Sequence, residues 1–170
     1  KNQNNVFDVD VTKLIINVNN SGITGKQLGD ILRYKYNIEV EMDSLKYVLG
    51  ITTICDDYKE LERLAEALKE IDKSLEEKQN ENISVELLKN KRMYSIYETD
   101  LKEKNTVNLF DSKDCISGEF VFLYPPGIPL VVPGEVITEE LLEQIKVYLE
   151  ANMNISGLKD NSNKTIEVVK

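Results

Sequence analysis

All four prolines of this 170-residue chain fall between Phe120 and Thr138, in the run Phe-Val-Phe-Leu-Tyr-Pro-Pro-Gly-Ile-Pro-Leu-Val-Val-Pro-Gly-Glu-Val-Ile-Thr. Proline fixes φ and removes a backbone donor, so Pro125-Pro126-Gly127-Ile128-Pro129 can be neither helix nor central strand. Pro125-Pro126-Gly127 and Pro133-Gly134 both read as turns. Between them, Ile128, Leu130, Val131 and Val132 are too apolar for a solvated loop. A stiff apolar segment of this kind must pack against something. It is either a rigid connector within one core or a loop held stiff to shape a pocket or an interface.

Ahead of it, the spacing predicts a β-α-β-β-α unit. A β-branched strand is expected over 13–18, then the turn Asn19-Asn20-Ser21-Gly22. Thr24 with Gln27 forms a capping box, flanked by Ile23 and Leu28 as a hydrophobic staple, and the helix runs to Tyr36. Asn37 ends it. Alternation predicts a strand over 38–42, a turn at Asp43-Ser44 and a second strand over 45–54, with Leu45, Tyr47, Leu49 and Ile51 on one face and Val48 on the other. Asp56 or Asp57 caps a helix over 58–78 whose stripe is Leu61, Leu64, Ala65, Leu68, Ile71 and Leu75. Polar Gln79 to Asn82 marks a boundary. Beyond it, one or two short helices are expected over 83–103 and strands over 106–110 and 116–124. Thr138 caps a last helix with Leu141, Leu142, Ile145, Tyr148 and Leu149 inside, and an edge strand is expected over 165–169. The fold class is therefore α+β: a small antiparallel sheet with helices over residues 8–79, then a second small α+β subdomain over 80–170.

Composition excludes much chemistry. The absence of histidine removes histidine acid–base work, histidine-ligated metals and any serine–histidine triad. A net charge of −9 argues against a nucleic-acid partner and is compatible with attracting small cations. No apolar run is long enough for a membrane span. Cys55 and Cys115 have no metal or redox spacing and fit a reducing, cytoplasmic setting. The adjacent pairs Asp56-Asp57 and Glu139-Glu140 diverge on a helix and read as N-terminal charges, not as a catalytic couple. Lys1–Asn5, polar and without methionine, carries no secretory signal and reads as the start of a fragment.

The string Tyr-Pro-Pro-Gly-Ile-Pro-Leu-Val-Val-Pro-Gly-Glu, Tyr124 to Glu135, resembles the C-terminal signature of the fold-type I ornithine/lysine/arginine decarboxylases. Asp10-Val11-Thr12-Lys13-Leu14, Gly22-Ile23-Thr24-Gly25, Ile38-Glu39-Val40-Glu41 and Asn154-Ile155-Ser156-Gly157 are similar to further family positions, so the resemblance covers about residues 10–157. The family shows a glycine and a basic residue just before the proline segment, where this chain has Asp114-Cys115; Ile116 and Glu119 fit. The resemblance implies a decarboxylase that uses pyridoxal phosphate, held on a lysine preceded by histidine and stacked by a second histidine. With no histidine, this chain is expected to be the C-terminal portion, lacking the N-terminal large domain of the same chain that binds the cofactor, and binding none itself. The family's active sites lie at subunit interfaces of oligomers, so a homo-oligomer and a cationic amino-acid substrate are the implied partners. By the same resemblance Tyr124, Pro126, Gly127 and Glu135 are candidates for shaping the substrate entrance, with Glu135 attracting a distal ammonium or guanidinium or else capping local backbone. A stand-alone interaction module without chemistry is the alternative.

Overall fold

The computed structural model describes residues 8–75 and 88–170. The chain divides into two compact units, Lys1–Asn82 and Ile83–Lys170. The expected end of the second helix at Lys78, the polar stretch 79–82 and the apolar residues Val85 and Leu87 lie outside the described residues.

In the first unit, β1 (Lys13–Asn17) is followed by α1 (Gly25–Tyr36), β2 (Met42–Asp43), β3 (Tyr47–Ile51) and α2 (Tyr58–Ser74). The sheet is antiparallel in the order β1-β3-β2. α1 starts where the sequence says. Thr24 Oγ1 accepts from the Gln27 N–H at 3.1 Å, and the Gln27 side chain accepts from the Thr24 N–H at 2.8 Å. It stops at Asn37, which takes φ 52°, a left-handed conformation that asparagine tolerates. Asp57, not Asp56, caps α2, in a second capping box with Glu60.

Three expectations in this unit change. The strand over 38–42 shrinks to Met42–Asp43, because the Ile38 N–H is spent on the Leu32 carbonyl at the end of α1. Ile38 and Val40 still pack on the core, so their alternation reported burial and not pairing. The second strand is shorter than 45–54, and its turn sits later, with the Ser44 N–H donating to the Tyr47 carbonyl at 2.8 Å. Its core-facing residue is Val48, fully buried, while Ile51 on the other face is 41% exposed. On α2 the buried alanine is Ala67 and not Ala65, so the stripe is Leu64, Ala67, Leu68, Ile71 and Leu75, and Leu61 is exposed. The core joins Val18, Leu28, Leu32, Val48, Ala67 and Ile71.

The second unit contains α3 (Ile96–Asp100), β4 (Lys104–Asn108), a 3-10 turn at Leu109–Asp111, β5 (Val121–Leu123), β6 (Ile128–Val131), α4 (Glu139–Glu150), β7 (Ile155–Ser156) and β8 (Thr165–Val169). β4 pairs with β8, from Lys104↔Val169 to Asn108↔Thr165. A separate three-stranded sheet runs β6-β5-β7. The strand expected over 116–124 is broken: Ile116 and Ser117 make single bridges to Val136 and Val168, and only Val121–Leu123 is continuous. Thr138 caps α4, which buries Leu141, Leu142, Ile145 and Tyr148, and Leu109, Val121, Val131, Ile137 and Ile166 of the same unit are buried as well. The architecture is α+β throughout. No described helix is long and apolar enough to cross a membrane.

Candidate functional site

The proline segment folds into a hairpin. β5 and β6 pair through Leu123↔Ile128, and the Gly127 N–H closes the loop onto the Leu123 carbonyl at 2.9 Å. Pro129 lies within β6, on the edge of its sheet, the place in a sheet where a missing N–H is tolerated. The register slips between Val121 and Phe122, which pair with Val131 and Pro129. Tyr124, Pro125, Pro126 and Gly127 form the tip and are all exposed, Tyr124 at 55%. A Cβ added at Gly127, where φ is 102°, would meet nothing within 4 Å. The tip is tied down through one hydrogen bond from the Tyr124 N–H to the Asn154 carbonyl, 2.9 Å. Tyr124, Pro126 and Gly127 thus share one projecting edge, with the phenol presented outward.

Glu135 is elsewhere. Pro133 and Gly134 occupy the middle of a turn closed by the Glu135 N–H on the Val132 carbonyl at 3.1 Å, with Gly134 at φ 92° as a type II turn requires. A Cβ on Gly134 would lie 2.2 Å from the Tyr94 carbonyl oxygen, so only glycine fits. The Glu135 carboxylate folds back on this turn. Its Oε2 accepts from the Val132 N–H at 3.2 Å and from Asn90 Nδ2 at 3.4 Å, and Oε1 lies 3.9 Å from the Arg92 guanidinium. The side chain is 17% exposed. Four residues of β6 separate the tip from this turn, roughly 13 Å at strand rise. The four candidates therefore stand at two ends of one strand, three on the tip and Glu135 capping backbone at the base.

Two features go beyond the sequence reading, which noted Glu119 only as fitting the family pattern. Glu119 is 5% exposed, and its carboxylate accepts from the Lys159 N–H at 2.9 Å and the Glu167 N–H at 2.7 Å, holding two distant segments. Its place between Gly118 and Phe120 in the sequence gives no sign of those partners. Beside it opens a cavity of about 620 Å³ lined by Ile96, Tyr97, Phe120, Pro133, Lys104 and Lys159, among others. Tyr97 is 74% exposed there. A pair such as Ile96-Tyr97 in a short helix reads as core, and only the fold shows it facing outward.

A pyridoxal group needs a lysine able to shed its proton and form an imine. The cavity's two lysines do not fit that need. Lys104 Nζ lies 3.6 Å from Asp100, and Lys159 Nζ lies 2.6 Å from Glu167, which holds the Lys159 ammonium above its ordinary pKa. Each lysine thus already has a carboxylate partner.

The chain resembles proteins of known name along nearly its whole length. It is 37% identical over 167 residues to an arginine decarboxylase of Bacillus subtilis and 33% identical to an arginine decarboxylase of Bacillus anthracis, in each case over 96% of this chain and 34% of the relative. It thus spans about a third of the length of the curated relatives it matches. Among solved structures, the constitutive lysine decarboxylase of E. coli superposes with a TM-score of 0.73 at 17% identity over 95% of this chain and 32% of that one. The Francisella novicida lysine decarboxylase superposes with 0.71 at 19%, over 95% and 31%. At those identities the likeness establishes the fold. The family model described as Orn/Lys/Arg decarboxylase, C-terminal domain, matches residues 73–161, just over half of the chain. That match takes in the hairpin, the Pro133-Gly134 turn and α4 together, and the chain belongs to the Orn/Lys/Arg decarboxylase family.

Proposed function

We propose that these 170 residues are the C-terminal part of a pyridoxal phosphate-dependent decarboxylase of basic amino acids, with arginine as the preferred substrate. The observation that carries this reading is the 96% alignment of the chain to proteins named arginine decarboxylase, of which it spans only 34%. The cofactor, which would take up the electrons released as carbon dioxide leaves, is assigned to the rest of the protein. The two free thiols, Cys55 exposed and Cys115 partly so, support a reducing, cytoplasmic setting. A homo-oligomer is the proposed assembly.

The role proposed for this chain is to shape the entrance. Tyr124 offers a flat amphipathic ring at the hairpin tip, and Pro126 with Gly127 fixes where it stands. Glu135 is assigned to the base of the same hairpin, where its bond to the Val132 N–H fixes the direction in which β6 enters the turn. Direct attraction of the substrate's distal cation by Glu135 is a weaker reading, because one oxygen is already shared by two donors.

The test is an assay of carbon dioxide release by the full-length protein on arginine, lysine and ornithine. Arginine is expected to be the fastest. The isolated chain with added cofactor is expected to release none, and release by it would overturn the assignment of chemistry to the rest of the protein. In the full-length enzyme Tyr124→Ala is expected to raise KM more than it lowers kcat, as loss of a binding contact does. Unchanged KM and kcat for both Tyr124→Ala and Glu135→Gln would remove the entrance role.

A further inference from the structure

A hairpin points where its outer neighbour lets it. β6 is the hairpin's own return strand and moves with β5, so in the β6-β5-β7 sheet the steering neighbour is β7. β7 is rooted at the end of α4, where the Asn152 N–H donates to the Leu149 carbonyl at 3.0 Å and the Met153 N–H to the Tyr148 carbonyl at 2.9 Å. It pairs with β5 through Phe122↔Ser156 and Leu123↔Ile155. Both ends of this pairing are laced. The Asn154 carbonyl holds the Tyr124 N–H at 2.9 Å, and the Lys159 N–H donates to the Glu119 carboxylate at 2.9 Å.

Gly157 lies between those two laces. Its φ is 100°, a conformation that glycine takes freely and other residues rarely do. A Cβ there would lie 2.5 Å from the Phe120 carbonyl oxygen and 2.8 Å from Phe122 Cε1. Both groups belong to the segment that leads to Tyr124. Side chains alternate along a strand, and burial follows that alternation: Val121 and Leu123 are buried, whereas Phe120, Phe122 and Tyr124 are not. Three aromatic rings thus share one side of β5 and its flanks. The middle ring sits against Gly157, and the last is the tyrosine of the tip.

We propose that Gly157 is a positioning residue: its bare Cα sets how closely β5 lies on β7, and thereby where Tyr124 stands. The proposal rests on the reading of Tyr124 as an entrance residue. The Phe120 oxygen is backbone and cannot swing aside as the end of a side chain does, so a methyl group at 157 moves the strand itself. The Tyr124–Asn154 bond opens, and the phenol leaves its place. The functional loss is bounded by what Tyr124 contributes, because Gly157 acts through it.

The test makes Gly157→Ala, Tyr124→Ala and the double variant in the full-length protein. It reads KM and kcat for arginine, and amide hydrogen exchange over residues 122–127, where Pro125 and Pro126 carry no N–H and Tyr124 is among the few amides left. Gly157→Ala is expected to speed that exchange and to raise KM by roughly tenfold, part of the roughly 100-fold that a misplacement of about 1 Å can cost. In the Tyr124→Ala background the glycine substitution is expected to leave KM where it stands, since residues acting as one unit are not additive. A general loss of folded enzyme lowers apparent kcat and leaves KM unchanged. Unchanged exchange, an unchanged KM beside a Tyr124→Ala that raises it, or the same rise in KM with and without Tyr124 would overturn the proposal. Faster exchange in Gly157→Ala, with no effect of Tyr124→Ala on KM, keeps the control of the tip by Gly157 and refutes the entrance reading instead. Where circular dichroism shows Gly157→Ala unfolded, Phe122→Ala takes its place: it removes the ring seated on the glycine, spares the glycine's backbone, and is held to the same outcomes.

Discussion

Glu119 shows what one carboxylate does when burial leaves it only backbone partners. Its two oxygens take N–H groups forty and forty-eight positions away, from Lys159 and Glu167. Replacing it strands those donors. Glu119→Ala is expected to cost about 2–4 kcal/mol, the cost of leaving two partly buried donors unmade. Glu119→Gln, which keeps one acceptor, should cost about half as much. Denaturant unfolding of both variants checks the order. Asp160 does a similar task in solvent. It accepts from the Ser162 hydroxyl at 2.7 Å and N–H at 2.9 Å, and from the N–H groups of Lys164 and Thr165 at 3.1 and 3.0 Å. These bonds, the Ser162 hydroxyl first, hold its carboxyl well below the usual range. A depressed carboxylate gives stability that is present above its unfolded pKa and lost as pH falls through the folded one. The stability gap between the native protein and Asp160→Asn should therefore be constant at neutral pH and close below about pH 4, where the unfolded carboxyl begins to protonate. A gap that persists unchanged into strong acid would show that the charge is not responsible.

At the scale of elements, helix starts were readable and strand limits were not. Thr24, Asp57 and Thr138 all cap the helices assigned to them, because a cap is settled by a few neighbouring residues. Strands need partners the local sequence does not name. Ile38 and Val40 alternate like a strand, yet their backbone follows the end of α1. Val48 looked like the odd residue out of β3 because three larger apolar neighbours, Tyr47, Leu49 and Ile51, share the opposite face; the core lies on the side of the one. On α2 Leu64, Leu68, Ile71 and Leu75 face the core as expected, and the alanine was misplaced, since Ala65 and Ala67 carry the same small side chain and only packing separates them. Ala67→Leu is expected to overpack the core by about 1–3 kcal/mol. Ala65→Leu should change stability by less than about 0.5 kcal/mol. Paired thermal melts read the difference, and equal shifts would return the stripe to its sequence-based position. The candidate site was legible to the same degree. Proline chemistry announced the hairpin, but nothing in the order Val132 to Glu135 says that the carboxylate turns back onto its own turn.

For the whole molecule, the sequence told family and fold class from one twelve-residue string and a succession of patterns, and left the long-range ties unseen. The most extended of those ties is β8. Its residues pair with β4 on one side, and on the other they receive the Gly118 N–H at the Glu167 carbonyl, 2.8 Å, while the Val169 N–H reaches Ile116 at 2.9 Å. A chain ended before Thr165 would leave Lys104–Asn108 with an open row of donors and acceptors, and open strand edges recruit other strands. Size-exclusion chromatography of such a truncation should show it eluting as soluble multimers, and a product that elutes like the intact chain would refute this. Those five residues thus act as a clasp on β4, and because they follow it in the chain, the clasp can close only once the residues between the two strands have been made.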